Sequence, residues 1–248
     1  MQPKDFSYVF RVVLKLDDMN RLKLILSVLL FFSFALSEVV AQNTEVRNVG
    51  SFHEIRTGQA IDVYLKEGSK ESVKLELKGI SPDDVLTEVS GGRLKIHLAS
   101  GRHNNHVVKA YVTYVKLDHI SASSASSVFS EGTIKGDRLE INVSSAADVE
   151  VTIDMNEVNA SVSSSGDLEL KGRTKYLEIS ASSAGGVDAF DLESENVKVR
   201  ASSAGGAKVV ATKEIDARAS SGGSIRYRGN PERSQTDSSS GGSVRKSN

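Results

Sequence analysis

The stretch VKVRASSAGGAKV at 197–209 decides the fold. Val197, Val199 and Ala201 alternate with Lys198 and Arg200, and Ala207 and Val209 flank Lys208. A period of two places each apolar set on one face of a β-strand. Between the two strands lies Ser202-Ser203-Ala204-Gly205, which carries only small side chains. The Ser-Ser pair recurs, its first serine at Ser123, Ser144, Ser163, Ser182, Ser202, Ser220 and Ser239, with spacings of 21, 19, 19, 20, 18 and 19 residues. A period near 19 with strand-type alternation on both sides predicts a solenoid of stacked coils.

Aligned on that first serine, the coils share inward positions. Leu139, Val158, Leu177, Val197 and Ile215 stand five residues before it, and Ile120, Ile141, Ala160, Ile179, Val199 and Ala217 three before. Val128, Val149, Leu168, Val187, Ala207, Ile225 and Val244 stand five after. Each coil, read as two or three short strands, has no core of its own and needs neighbours above and below. Ser144, Ser163, Ser182, Ser202 and Ser220, with Gly185, Gly205 and Gly222, are the predicted structural corners. Glycine there is expected to supply backbone angles closed to other residues, and serine to hydrogen bond to backbone or to the next serine. In the last coil Ser234, Thr236 and Ser238 replace the apolar strand, as expected of a solvated end. Residues 245–248 read as a frayed tail.

The 248 residues suit one domain, or one plus a small cap. Aromatics make up 6% and tryptophan is absent, so Val, Ile, Leu and Ala must build the core, which favours thin regular layers. The absence of cysteine excludes disulfides, thiolate metal sites, thiol nucleophiles and a lipidated cysteine anchor. A net charge of −1 gives no reason to expect nucleic acid.

Residues 1–41 read as a secretory leader. Arg21 and Lys23 precede an apolar run over 22–36, and Val39-Val40-Ala41 precedes an expected cut at Gln42. Met19 is a second candidate initiator. The apolar run is short for a membrane span of ~20 residues, so no retained transmembrane helix is expected. Residues 42–118 form a less regular β part, with strands predicted at 61–65, 73–77, 94–98 and 107–115. Gly68-Ser69 and Gly91-Gly92 mark turns, and Ser81-Pro82-Asp83-Asp84 is another break, or else the start of a short helical turn. Residues 119–244 are the repetitive coils.

No catalytic, cofactor or metal motif stands out. No serine lies in a Gly-x-Ser-x-Gly elbow, and Gly185-Gly186 and Gly222-Gly223 lack the Lys-Ser/Thr helix start of a phosphate loop. His103 and His106 flank Asn104-Asn105, but two ligands in a loop make a weak metal signal, and a solvated loop is the expectation. His97 is expected on the outer face of its strand. Six residues after the first serine stands a charge column, Glu150, Glu169, Asp188, Lys208, Arg226 and Arg245. With Lys198, Arg200 and Arg218 it makes the outer surface change from acidic to basic along the axis. The basic end (Lys198, Arg200, Lys208, Arg218 and Arg226) is the candidate surface for an anionic glycan or an acidic envelope protein.

The segments Gly50-Ser51-Phe52-His53-Glu54-Ile55, Ile61-Asp62-Val63-Tyr64-Leu65 and Gly92-Arg93-Leu94-Lys95-Ile96 resemble the entry of the auto-transporter adhesin head GIN domain. Val112-Thr113-Tyr114, Leu117 and the Ser-Ser-Ala-Gly coils extend the resemblance over about residues 45–245. At Val115-Lys116 the chain departs from it, where related sequences often place a proline; this affects a turn. The resemblance implies a secreted or envelope protein of bacteria with a right-handed parallel β-helix and a role in adhesion. It carries over no catalytic or ligand residues. The expected protein is therefore an exported, all-β solenoid at the periplasm, outer-membrane surface or exterior, acting without catalysis as a binding or scaffold module. A polysaccharide-active β-helix enzyme is the first alternative; its only candidate carboxylates are Asp148 and Asp167 beside Glu150 and Glu169. An envelope-stress or signalling accessory is the second.

Overall fold

A computed structural model describes residues 43–247; the expected leader lies outside them. Among the described residues seventeen strands form one sheet. They are β1 (Asn43–Asn48), β2 (Glu54–Thr57), β3 (Ile61–Glu67), β4 (Ser72–Lys78), β5 (Val85–Ser90), β6 (Arg93–Leu98), β7 (Val107–Tyr114), β8 (His119–Ala122) and β9 (Ser127–Val143). There follow β10 (Asp148–Val162), β11 (Asp167–Ala181), β12 (Gly186–Ala201), β13 (Gly206–Val210), β14 (Glu214–Ala219), β15 (Ser224–Arg228), β16 (Arg233–Ser238) and β17 (Ser243–Lys246). Among the described residues the one helical piece is the 3-10 turn Pro82–Asp84.

The coils are parallel and in register. Val158 pairs with Leu139 on one side and Leu177 on the other, and Val197 with Ile215 beyond. Each of these side chains is at most 3% exposed, so the inward columns predicted from the alternation form the core. One contiguous cluster runs from Phe52 to Ile225. Among its buried side chains only Phe52 and Tyr114 are aromatic. Full burial of one such aliphatic contributes roughly 1.5–3 kcal/mol. In β9 to β12 a coil is not several short strands. It is one bent strand of 15–17 residues, interrupted only at the Ser-Ser corner.

The corners work differently from the sequence expectation. In Ser202-Ser203-Ala204-Gly205 the left-handed residues are Ser203 (φ 48°) and Ala204 (φ 61°), and the Gly205 N–H donates to Ser202 O at 2.8 Å. Two left-handed residues closed by that bond make a type I′-like turn. Non-glycine residues resist this conformation by roughly 1–2 kcal/mol each. The offset comes from axial bonds: Ser202 N–H donates to Ala181 O (2.9 Å) of the coil before, and Ala204 N–H to Ser221 O (3.1 Å) of the coil after. Gly205 and Gly185 serve close approach instead. A Cβ on Gly205 would lie 2.5 Å from Ala181 O, and one on Gly185 2.8 Å from Val162 O. Gly222 does use the left-handed region, at φ 76°. The first-serine hydroxyls form no bonded column; among the described corner serines only Ser126 has a side-chain bond, to Ser123.

Stacking does not follow chain order. The coil β2–β3 lies between β6–β7 and β8–β9: Ile55 pairs with Leu94 and with Ile120, and Val63 with Ala110 and with Val128. Its own corner, Gly58-Gln59-Ala60, lacks the serines but has the same pair of positive φ angles, and Ala60 N–H donates to Ser124 O at 3.0 Å. Antiparallel strands then close the N-terminal end, with β4 on β7, β1 on β4 and β5 on β6. Gly91 (φ 58°) and Gly92 (φ 77°) make the tight β5–β6 hairpin. Arg47 ties the two terminal edges together, donating to Glu45 on β1 and to the carbonyls of Pro82 and Val85 at the start of β5.

At the other end β16 is exposed throughout, as its serines and threonine predict. The tail is corrected. β17 reaches Lys246, and Ser247 N–H donates to Tyr227 O at 2.8 Å, because β15 offers a free parallel edge.

One polar group is misplaced in this core. Thr57 is 2% exposed, stands where the next coil has Ala122, and its hydroxyl has no hydrogen-bond partner. Thr57→Val keeps the shape and removes the unmet group, so it is expected to stabilise the protein by about 1 kcal/mol. Thermal unfolding of the two forms checks this; an unchanged or lower midpoint contradicts it.

Candidate functional site

Outward side chains form columns as regular as the inward ones, on two faces separated by the Ser-Ser corner. On the face after the corner, Tyr111, Tyr64 and Phe129 stack at centroid distances of 5.0 and 5.4 Å. Lys74 stands 5.1 Å from the Tyr111 ring. The same column continues in register through Glu150, Glu169, Asp188, Lys208, Arg226 and Arg245. A groove of about 680 Å³ follows it from Phe129 to Arg226. Gly186 and Gly206 leave its middle without side chains.

Opposite charges pair from coil to coil here. Lys171 bridges Glu150 (2.7 Å) and Glu169 (2.9 Å), which raises its own pKa. Lys208 meets Asp188 at 2.8 Å. Burial works to raise the Asp188 pKa, but Lys208 and the Phe190 N–H together hold it below the ordinary value. A bulge brings Phe190 to the surface, and the Arg228 guanidinium lies 4.0 Å from its ring centroid. Arg226 and Arg245 have no ion-pair partner among the described residues.

The face before the corner carries a second groove of about 580 Å³, around Tyr176, Asn159, Glu178, Asn196 and Asp216. Lys198 and Arg200 both contact Glu178, at 2.7 and 3.4 Å, and Arg218 contacts Asp216 at 3.1 Å. The five basic residues singled out in the sequence are therefore not brought together. Lys208 and Arg226 share the after-corner face; Lys198, Arg200 and Arg218 lie on the other, each against an acid. The corner residues Ser144, Ser163, Ser182, Ser202 and Ser220 all occupy turns.

Histidines are placed more specifically than the sequence conveys. His53 bonds to Asp118 at 2.8 Å and clips β2 to the start of β8. Burial of Asp118 is outweighed by His53 and Lys116, which leave its pKa lowered. The loop is exposed at Arg102, Asn104 and Asn105 as expected, but its histidines turn inward: His103 Nε2 meets Ala99 O at 3.0 Å, and both ring nitrogens of His106 are buried without a partner. His97 reaches Glu88 at 3.1 Å across the β5–β6 pair. Among the described residues no three His, Asp or Glu side chains converge as metal ligands would.

The fold has solved counterparts. A structure titled a "putative adhesin" from Bacteroides fragilis superposes with a TM-score of 0.73 at 20% identity, covering 84% of this chain and 97% of that one. One titled "Putative lipid binding protein" from Parabacteroides distasonis gives 0.66 at 24% identity, covering 83% and 96%. Another "putative adhesin" from Parabacteroides distasonis gives 0.68 at 21%, covering 84% and 98%. At these identities the likeness is one of fold. No curated protein matches the chain. A family model described as "Putative auto-transporter adhesin, head GIN domain" matches residues 51–231. The chain thus belongs to the auto-transporter adhesin head GIN domain family.

Proposed function

We propose that this protein is a non-enzymatic binding module of the bacterial envelope or exterior, which holds an anionic surface polymer at the cationic end of its after-corner face. The observation that carries this reading is the column Lys208–Arg226–Arg245. It places three cations one coil apart, about 4.8 Å per step, and two of them have no ion-pair partner. Arg228 adds a fourth positive group beside them. Like charges so stacked repel each other, and a polyanion lying along the axis relieves that repulsion.

The carboxylates argue against a glycosidase. Such enzymes face two carboxyl groups across the bond to be cleaved and keep one protonated. Here Glu150, Glu169 and Asp188 are engaged by lysines, Asp188 is held toward its ionised form, and Asp148 and Asp167 stack one coil apart in a single column instead of facing each other across a cleft. An exported location agrees with the family and with the leader expected at 1–41. Among the described residues no helix is long and apolar enough to cross a membrane.

The test is retention on immobilised polygalacturonate at low ionic strength. The wild type is expected to bind and to elute as salt rises. Lys208→Glu with Arg226→Glu is expected to abolish retention, whereas Lys198→Glu with Arg200→Glu, on the other face, leaves it in place. Unchanged retention of the Lys208/Arg226 variant overturns the proposal.

A further inference from the structure

Tyr176 stands apart from the other aromatic side chains. Phe52 and Tyr114 are core residues, Tyr227 packs against the core, and Tyr64, Tyr111, Phe129 and Phe190 stack on one another or lie against cations. Tyr176 is 58% exposed, in mid-solenoid, and none of the ring contacts found among the described residues involves it. Register fixes it outward: it pairs with Glu157 on one side and Asn196 on the other, so both neighbours in its column are polar. A large exposed ring lining a groove contributes nothing to the core and leaves its face open to a ligand.

We propose that the before-corner groove is a binding site for a neutral oligosaccharide, with Tyr176 as the platform for one pyranose ring. The C–H face of a pyranose packs on an aromatic ring, and its hydroxyls need a few fixed donors and acceptors around it. The groove supplies them already oriented. Asn159 Nδ2 is held by Glu157 at 2.9 Å, which aims its amide, and Asn196 Nδ2 is held by Lys175 O at 3.2 Å. Lys198 and Arg200 fix Glu178, and Arg218 fixes Asp216. Side chains locked by such bonds lose little freedom when a ligand binds.

The pairing also selects the ligand's charge. Glu178 and Asp216 are already matched by bases, so a charged ligand would have to break an ion pair to be recognised. A neutral, hydroxyl-rich one uses the remaining lone pairs. The lining residues come from β10, β11, β12 and β14, four successive coils. At about 4.8 Å per coil they extend over roughly 14 Å, room for more than a single sugar. This site lies on the opposite side of the corner from the cationic column and is independent of it.

The experiment titrates maltotriose, cellotriose and mannotriose into the wild type, Tyr176→Phe and Tyr176→Ala, followed by calorimetry and by the Tyr176 ring resonances. The expected result is saturable binding of at least one trisaccharide by the wild type. Tyr176→Phe keeps it, because the ring face and not the hydroxyl makes the contact, and Tyr176→Ala weakens it about tenfold or more. The Lys208→Glu/Arg226→Glu variant binds the same sugar as the wild type, which separates this site from the polyanion surface. Equal affinity in Tyr176→Ala overturns the proposal. So does the absence of binding to all three sugars.

Discussion

Gly205→Ala is expected to destabilise the protein by about 3 kcal/mol, near the upper end for overpacking at a buried site. The added Cβ would lie 2.5 Å from Ala181 O, 2.6 Å from Ala181 C and 2.8 Å from Ser182 N, all backbone atoms of the preceding coil. No side chain can rotate away. Relief requires the two coils to part at the corner, which stretches the 2.9 Å bonds from Ser202 N–H to Ala181 O and from Gly206 N–H to Gly185 O. Two comparisons make the expectation specific. At Gly206, the next residue, a Cβ meets nothing within 4 Å, so Gly206→Ala is expected to stay within about 0.5 kcal/mol of wild type. At Gly166, one coil before Gly185, the nearest backbone atom is 3.1 Å away, and Gly166→Ala is expected to fall between the two. Denaturant unfolding of the three variants checks the order. Equal stabilities would mean that the corners are not stacked as closely as described.

Ile179→Ala is expected to cost about 3 kcal/mol, within the usual range for emptying a fully buried aliphatic position. Ile179 is 0% exposed and its column neighbours are Ala160 and Val199. Neither is long enough to fill the space, and the in-register bonds on both sides hold the backbone where it is. A coil contacts only its neighbours, so the lost packing falls on two interfaces at once. Val244, only partly buried in the last coil, provides the contrast: Val244→Ala is expected to cost less than about 1 kcal/mol. The same unfolding measurement compares the two, and similar losses would contradict the assignment of Ile179 to the middle of the stack.

The inward columns were legible because alternation states a residue's face without reference to its partner. Leu139, Val158, Leu177, Val197 and Ile215 align on the serines, and they pair in that order in the structure. The polar last coil was legible for the same reason. Which coil stacks on which was not. The strand 61–65 has the same alternation as any other, and nothing in it encodes that β7 and β9 will be its neighbours. Its corner, Gly58-Gln59-Ala60, was hidden because the turn requires small or flexible residues at left-handed positions, not serine as such.

The site was less legible still. A charge column read along one strand position shows a sign change, and the sequence presents it as a basic end. The pairing that decides the matter links residues about 20 apart, Glu178 to Lys198 and Asp188 to Lys208, and it divides the five basic residues between two faces. Tyr176 could have been found by the same column rule, since it stands one residue before Leu177 and must point outward.

The most direct test of the stacked-corner architecture uses the absence of native cysteine, which lets spin labels sit only where they are placed. Labels at Gln59→Cys paired with Ser183→Cys or with Ser221→Cys lie four and six corners apart. At about 4.8 Å per corner, pulsed electron resonance is expected to give distances near 19 and 29 Å. Distances that do not grow in proportion to the number of corners, or that both exceed these values by one coil spacing or more, would contradict the insertion of β2–β3 directly beneath β8–β9.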